Sequence, residues 1–258
     1  MTSTEKVSIS VGKEDLKWLR QRAKRSVASK PRPGMRPFRI VHEDADVVVV
    51  DKKAGLLTVP IPGSRARNLK DLLDLYLQGR TGRALQVHRI DRYTSGLVVF
   101  AKTPRARELL VAQFRERTPE RLYLAIVRGV VAQEAGALRH RLELTTHGFR
   151  QRVVARGGTE AVTHYRVLER LRGVTLLEVR LETGLKNQIR VQLQAAGHPL
   201  VGDRHYEAAE AQEARLARQA LHSWRLGFAH PGTGRAVRYE APLAADMERL
   251  LAALRGAS

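Results

Sequence analysis

The feature that most constrains this chain is a polar segment enclosed by two apolar runs. The segment, residues 88–96, reads His-Arg-Ile-Asp-Arg-Tyr-Thr-Ser-Gly. The apolar run that follows it, Leu97–Ala101, is typical of a buried strand, and a shorter run, Ala84–Val87, precedes it. Asp91 is therefore expected in a turn rich in Thr, Ser and Gly where a strand ends. Loops held by rigid strands often carry binding and catalytic residues, so Asp91 is a candidate functional residue.

Asp91 has arginines close to it on both sides, Arg89 two residues before it and Arg92 directly after it. Positive charge nearby favours the ionised carboxylate, which suits a nucleophile or a base better than a proton donor. An aspartate in a turn also commonly bonds to its own backbone, which would make Asp91 only a turn cap. The residues alone leave both interpretations open.

The chain is strongly basic for its 258 residues. It contains 46 Lys and Arg against 26 Asp and Glu, which gives a formal net charge of +20. This excess predicts an anionic partner, and nucleic acid is the natural candidate because neutralised phosphates dominate such affinities. A generally arginine-rich composition would raise the charge without any such partner, and that alternative stays open.

Several kinds of site are excluded or disfavoured by what the sequence lacks. It has no cysteine, which excludes disulfides, cysteine-based zinc sites and thiol catalysis. No metalloprotease, Walker or dinucleotide-binding motif occurs, and the nine histidines show no metal-like spacing, so we expect neither metal nor cofactor. There is no bilayer-length apolar run and no signal-peptide core, so we expect a soluble, cytoplasmic protein. Nothing requires a dimer, and we expect a monomer.

The chain divides into two predicted regions. Residues 1–37 form a basic N-terminal extension with a candidate helix from Lys13 to Arg25 and a Pro- and Gly-containing linker from Ser29 to Gly34. We expect this extension to be a nucleic-acid-contacting or disordered arm. Residues 38–258 form the globular domain.

Within the domain, apolar patterns predict strands and helices in no regular alternation. The predicted strands are 47–50, 84–87, 97–101, 122–127, 163–168 and 174–181. The predicted helices are 68–76, 105–115, 189–196, 207–221 and 243–254. On the second of these helices, Leu109, Leu110 and Phe114 are expected to face inward. Without a repeating strand–helix unit, the pattern indicates an α+β fold.

The segment around Asp91 resembles a known signature. Residues 88–102, ending in Gly-Leu-Val-Val-Phe-Ala-Lys, are similar to the catalytic motif of the RluA family of pseudouridine synthases. The resemblance covers residues 38–247. It implies a catalytic domain with a mixed, largely antiparallel central sheet flanked by helices and loops, without cofactor or metal. It also implies that Asp91 is the catalytic residue. No S4-type RNA-binding domain, which many relatives carry, is recognisable in the N-terminal extension.

Two later segments strengthen the resemblance. Residues 183–193, with Gln-Ile-Arg at their centre, and residues 197–203 are similar to the family's second conserved region. Arg190 matches the arginine that pairs with the catalytic aspartate, and a guanidinium can hold a carboxylate bidentately and fix its direction. The alternative is a surface arginine at a helix end. The chain departs from the family pattern at Lys53, Leu185, Lys186, Asn187 and Gln192.

The resemblance assigns further roles. Tyr123 matches the tyrosine that lies against the target base, where it could stack on uracil and assist proton transfer. Arg121, two residues earlier, replaces the family's lysine. Arg89 matches the residue that fills the space vacated when the target nucleotide is extruded, although it could be a simple phosphate contact. The remaining expected RNA contacts are His88, Arg92, Thr94, Lys186 and Gln188.

The function implied is isomerisation of selected uridines in structured RNA, ribosomal or transfer, to pseudouridine. Asp91 would act at the ribose, either by attacking C1′ or by removing the C2′ proton, and the sequence does not decide between these routes. A non-catalytic RNA-binding or ribosome-assembly protein on the same fold is the main alternative. A metal-dependent nuclease is a third reading, although acids are sparse near the motifs.

Overall fold

The computed structural model describes residues 36–80, 82–145, 150–206 and 216–256, which fold around one large sheet. Its strands are β1 (Phe38–Glu43), β2 (Val47–Lys52), β3 (Leu85–Gln86), β4 (Ser95–Ala101), β5 (Glu120–Arg128), β6 (Ala135–Leu144), β7 (Gln151–Val154), β8 (Thr159–Leu171), β9 (Val174–Leu181), β10 (Leu221–Ala229) and β11 (Ala236–Glu240). The helices of this part are α1 (Leu69–Leu77), α2 (Pro104–Glu116), α3 (Gln188–Ala195) and α4 (Ala245–Arg255).

The sheet is mixed and largely antiparallel, as the resemblance implied. The strand order is β1-β2-β4-β10-β5-β9-β8-β6-β7, with β3 also on β4 and β11 also on β10. β4 and β10 are parallel, and the other pairs of named strands in the described residues are antiparallel. Gly96 allows the close approach of β4 to β10, because its φ is +106° and a Cβ there would collide with the backbone of Ser223. The predicted α+β class is confirmed.

The core lies on both faces of the sheet. Val47–Val50 of β2 point alternately to the two faces of the sheet, and all four are completely buried because both faces are covered. Val48 and Val50 pack with α1, whereas Val47 and Val49 join a cluster that includes Leu110 of α2. Ile189 and Leu193 of α3 pack in a third cluster with side chains of β5 and β9. The segment carrying Asp91 connects β3 to β4, and all seven residues of β4 are buried.

Most of the predicted elements are present, with corrected ends. Predicted strand 174–181 matches β9, and the predicted helix 68–76 matches α1, where the Asn68 side chain accepts a hydrogen bond from the Asp71 backbone N–H as an N-cap. The prediction that Leu109 faces inward is wrong: it is 40% exposed, while Leu110 beside it is buried. Apolar spacing alone did not distinguish these neighbours on the rim of the helix's apolar stripe.

The predicted helix 207–221 is wrong where it can be compared. Residues 207–215 lie outside the described residues, but residues 216–220 are not helical and Leu221 begins β10. Residues 216–221 are good helix formers, but here the chain must enter the sheet beside β4 and β5, and this pairing overrides their helix propensity. The candidate helix Lys13–Arg25 and the linker Ser29–Gly34 also lie outside the described residues and stay predictions. Among the helices described, none is long and apolar enough to cross a membrane.

Candidate active site

Asp91 lies in the wall of a cavity of about 380 Å³. The cavity is bounded by the loop of residues 88–94, called here the Asp91 loop, by the end of α2, by β5 and by the start of α3. Its volume is in the range typical of ligand pockets. Seven of the nine residues predicted to act in catalysis or RNA contact line it: His88, Arg89, Asp91, Thr94, Tyr123, Gln188 and Arg190.

Arg190 joins two carboxylates. Its Nη1 donates to Asp91 Oδ2 at 3.2 Å, so the structure brings together the two side chains that the resemblance paired. The bidentate partner, however, is Asp203: Arg190 Nε donates to Oδ2 and Nη2 to Oδ1, both at 2.7 Å. The predicted bidentate pairing of Arg190 with Asp91 is therefore wrong. Asp203 fixes the guanidinium, and the guanidinium offers one hydrogen bond to Asp91.

The start of α3 completes this arrangement. Asn187 precedes the helix in the left-handed region, at φ 53°, which asparagine tolerates better than most residues. Its Oδ1 accepts the other hydrogen bond from Arg190 Nη1, at 3.0 Å. Burial lowers the pKa of Arg190, but the hydrogen bonds and charge of Asp203, followed by Asp91, raise it overall. The departure from the family at Asn187 thus gives Arg190 a further support.

The backbone of the Asp91 loop is held by groups that sequence reasoning did not single out. The buried Lys52 donates through Nζ to the carbonyl oxygens of Arg92 at 3.1 Å and Leu56 at 2.8 Å. Thr58 donates through its hydroxyl to the carbonyl of Ile90 at 2.7 Å. Burial and the charge of Arg218 lower the pKa of Lys52 to about 7, against the opposing effect of the Asp91 charge. The lysine therefore ties the Asp91 loop, at Arg92, to the segment that follows β2.

A second support of the Asp91 loop involves helix α4. Arg218 is buried and forms a bidentate ion pair with Asp246 of α4, with both nitrogen–oxygen distances at 2.7 Å. The Nη1 of the same guanidinium donates to the carbonyl of Tyr93 at 3.3 Å. The Asp91 loop is thus tied to distant parts of the chain through its carbonyl groups.

Tyr123 lies in β5 with only 7% of its surface exposed, and it lines the cavity. Burial raises the pKa of its hydroxyl, and the charge of Asp91 adds to this effect while Arg121 opposes it. The phenol therefore remains protonated at neutral pH. An uncharged phenol ring in this position is suited to packing against a base, the role implied by the resemblance.

His88 serves the fold in this structure. Its Nε2 accepts the backbone N–H of Val99 at 3.1 Å, and its ring stacks on Phe114 with centroids 4.5 Å apart. Burial, helped by the charge of Arg121, lowers its pKa to about 3. The imidazole is therefore neutral at physiological pH and its Nε2 supports β4, while its contact with RNA stays a prediction.

This arrangement predicts a pH effect on stability. An unfolded histidine takes up a proton near pH 6.5, whereas folded His88 does so only near pH 3, so acidification favours unfolding in this window. We expect His88→Gln, which retains an acceptor but does not titrate, to remove a slope of up to about 1.4 kcal/mol per pH unit between pH 6 and 4. Urea unfolding at several pH values measures it. Buried His222 is present in both proteins, so its contribution to the pH dependence cancels in the comparison. Parallel curves of stability against pH would contradict the assignment.

Gln188 is also occupied within the protein. Its Oε1 accepts from the Thr183 hydroxyl at 2.8 Å and from the Leu185 backbone N–H at 3.0 Å. Its Nε2 donates to the Val162 carbonyl and the Thr163 hydroxyl. All ordinary hydrogen-bonding positions of this amide are used within the protein, where they hold the start of α3 on β8, and its contact with RNA stays a prediction.

The other four residues predicted to contact RNA differ in their exposure and in their position relative to the cavity. Thr94 is buried and accepts a hydrogen bond from the Gln219 amide at 3.3 Å. Arg89 is exposed at the cavity mouth. Arg92 is exposed, and its Nε donates to the Gly55 carbonyl at 2.9 Å. Lys186 is exposed but does not line the cavity. Arg89 therefore has the best position of these four to meet a bound nucleotide.

In the described residues, one group of histidine and acidic side chains lies close enough to hold an ion, and it lies outside the cavity lining. It consists of Asp44, Asp46 and His230. His230 Nδ1 accepts the backbone N–H groups of Gly232 and Thr233, so its Nε2 carries the proton and donates to Asp44 Oδ2 at 2.9 Å. A metal would need that nitrogen unprotonated, so the geometry favours a hydrogen-bonded turn.

The fold and this cavity define a class of protein. Residues 46–195 match the family of RNA pseudouridylate synthases. The chain belongs to this family, and within it to the RluA type. The match contains Asp91, Tyr123 and Arg190, whereas Asp203 lies beyond its end.

Individual relatives agree with this placement. Ribosomal large subunit pseudouridine synthase D of Neisseria meningitidis serogroup A is 38% identical over 95% of this chain and 68% of its own length. The uncharacterized RNA pseudouridine synthase YlyB of Bacillus subtilis is 41% identical over 84% of this chain and 72% of its own. The chain thus spans about two thirds of the length of these relatives.

A solved structure, human RNA pseudouridylate synthase domain containing 4, shares the fold with a TM-score of 0.69. It is 22% identical and covers 94% of this chain and 97% of its own.

Proposed function

We propose that this protein is an RNA pseudouridine synthase that modifies uridines of large-subunit ribosomal RNA. The observation that carries the proposal is the Asp91 carboxylate at a cavity wall, held by the fixed guanidinium of Arg190 and adjoined by the buried ring of Tyr123. Ribosomal RNA is preferred to transfer RNA because several relatives near 40% identity are named for the large ribosomal subunit.

The chemistry follows from the placement of these groups. Asp91 acts at the ribose of an extruded uridine, by attack on C1′ or by removal of the C2′ proton, and the N1–C1′ bond breaks. The uracil turns and rejoins the ribose through C5, the C5 proton is lost, and N1 takes up a proton. Arg190 directs the carboxylate, because its own orientation is fixed by Asp203 and Asn187. Tyr123 packs against the base.

The cavity mouth suits an RNA chain. Arg89, Arg115 and Arg117 line the cavity and are exposed, so they can meet the phosphates on either side of the target nucleotide. Arg89 is further placed to occupy the position that the extruded base leaves. The action of Arg89 on the duplex, the monomeric state and the cytoplasmic location all stay predictions.

Release of tritium from RNA labelled at C5 of uridine tests the function. We expect release from ribosomal RNA in buffer containing EDTA, because rejoining through C5 expels that hydrogen and the reaction needs no metal. Bulk transfer RNA, labelled in the same way, identifies the substrate class. Tight RNA binding without release from either pool would favour the ribosome-assembly alternative. Strand cleavage that EDTA stops would favour the nuclease.

A further inference from the structure

Arg121 is a buried cation without an acidic partner among the described residues. Only 9% of it is exposed, and its hydrogen bonds are two long ones, from Nη2 to the carbonyls of Glu182 at 3.3 Å and Thr183 at 3.5 Å. Its Nε is buried with no hydrogen-bond partner. Arg190 and Arg218, equally buried, each have a bidentate aspartate. The fold therefore leaves the charge of Arg121 uncompensated, which is costly unless something else meets it.

The position of Arg121 shows where such a partner would lie. Arg121 and Tyr123 are two residues apart on β5 and thus point to the same face of the sheet, and both line the cavity. Gly184 gives the guanidinium room, because a Cβ there would lie 2.6 Å from Nη1. The Phe114 ring lies on another side, with its centroid 5.8 Å from Cζ. The guanidinium is thus held in the cavity wall beside the ring on which the base would pack.

Burial lowers the pKa of Arg121, Tyr123 partly opposes this effect, and the neighbouring charge of Arg117 lowers the pKa further. An anion in the cavity would reverse both lowering effects. The reaction itself produces one beside Tyr123. When the N1–C1′ bond breaks, its electron pair stays with the uracil, and the negative charge spreads over N1, O2 and O4. Formation of the C5–C1′ bond uses this electron pair and gives a neutral base, and loss of the C5 proton together with protonation of N1 then completes pseudouridine.

We propose that Arg121 is a catalytic residue that stabilises the negative charge on the uracil as it leaves C1′. The inference rests on the proposed function and adds a group that acts on the base, whereas Asp91 acts on the sugar. A donor whose side chain is buried and fixed in the cavity wall is effective because it needs no reorganisation as the charge develops.

A phosphate is the other anion that RNA could offer. The exposed arginines of the mouth, Arg89, Arg115 and Arg117, already suit phosphates, which stay close to solvent. Arg121, unlike these three arginines, is buried, and it lies two residues from Tyr123. The base is therefore the better match for Arg121.

The test compares Arg121→Met with Arg121→Lys under single-turnover conditions at saturating RNA. We expect Arg121→Met to slow tritium release by about 100- to 1000-fold with the Kd for RNA changed by less than about threefold. Arg121→Lys keeps the charge and should lose less than about tenfold. Arg235→Met, which removes an exposed arginine that does not line the cavity, is the matched control and should leave both the Kd and the saturated rate unchanged. Because it removes an uncompensated charge, Arg121→Met should not lower the melting temperature.

A second substrate separates catalysis from mere support of the cavity. Fluorine at C5 withdraws electrons and stabilises the departing base, so on RNA containing 5-fluorouridine the defect of Arg121→Met in consuming the nucleoside should shrink by about tenfold. Equal defects on both substrates would overturn the proposal, as would a normal saturated rate with a raised Kd, the result expected of a phosphate anchor. Absence of release by the wild-type protein would overturn the proposed function as well.

Discussion

Asp91→Asn is expected to abolish isomerisation while RNA binding stays within a few-fold of the wild-type value. The amide has the same shape and still presents an oxygen to Arg190 Nη1, so the cavity should be preserved. It is neither an effective nucleophile nor a base, and both routes at the ribose require one of these. The rate should fall by at least about 10⁴-fold. Single-turnover tritium release and filter binding with the same RNA measure the two quantities.

A matched control removes a carboxylate elsewhere. Glu160→Gln deletes the same charge at an exposed position of β8 and should leave both quantities unchanged. Tritium release by Asp91→Asn at a rate near that of this control would contradict the catalytic role of Asp91. Loss of RNA binding together with release would instead indicate that Asp91 holds the loop together.

Asp203→Asn is expected to have the largest effect on stability. Asp203 is completely buried, and both of its oxygens accept short hydrogen bonds from Arg190, which is itself buried. The amide removes the charge that compensates the guanidinium, and breaking a buried ion pair from one side costs about 3–5 kcal/mol. Isomerisation at saturating RNA should also slow, because the group that directs Asp91 is no longer fixed.

Urea unfolding with a separate assay of release measures both consequences. Glu143→Gln is the control: it breaks the pair between Glu143 and Arg152, whose side chains are 46% and 64% exposed, and should cost less than about 1 kcal/mol. A similar small loss for Asp203→Asn would show that Arg190 is held by its other contacts. A large loss of stability with an unchanged saturated rate would confine Asp203 to a structural role.

The strands predicted best were those whose side chains are buried on both faces. Continuous apolar runs marked β2, β4, β5 and β9, because such strands must be apolar throughout. β6 was missed because it has no continuous apolar run: it is largely exposed, and its leucines alternate with the charged residues Arg139, Arg141 and Glu143. Its pairing with β8 is a property of the sheet, which the local sequence does not encode.

The candidate site was predicted only in part, because the local sequence does not encode the hydrogen-bond partners of each residue. Resemblance paired Asp91 with Arg190, and the structure brings them together. The resemblance included Asp203, the last residue of segment 197–203, but assigned it no role in holding Arg190. It also could not show that the amide of Gln188 would be fully used inside the protein. Motif identity indicates which residues matter, whereas hydrogen-bond partners decide what each one contacts.

The Asp91 loop is fastened through its peptide carbonyls, which receive Lys52, Thr58 and Arg218 from outside the loop. Every residue type supplies the same carbonyl, so exchanges of exposed side chains such as Arg89 and Tyr93 need not shift Asp91. Mutations that retarget the enzyme to another RNA can therefore accumulate on this loop without disturbing the reaction centre. In evolutionary terms, the choice of uridine is separable from the chemistry performed on it.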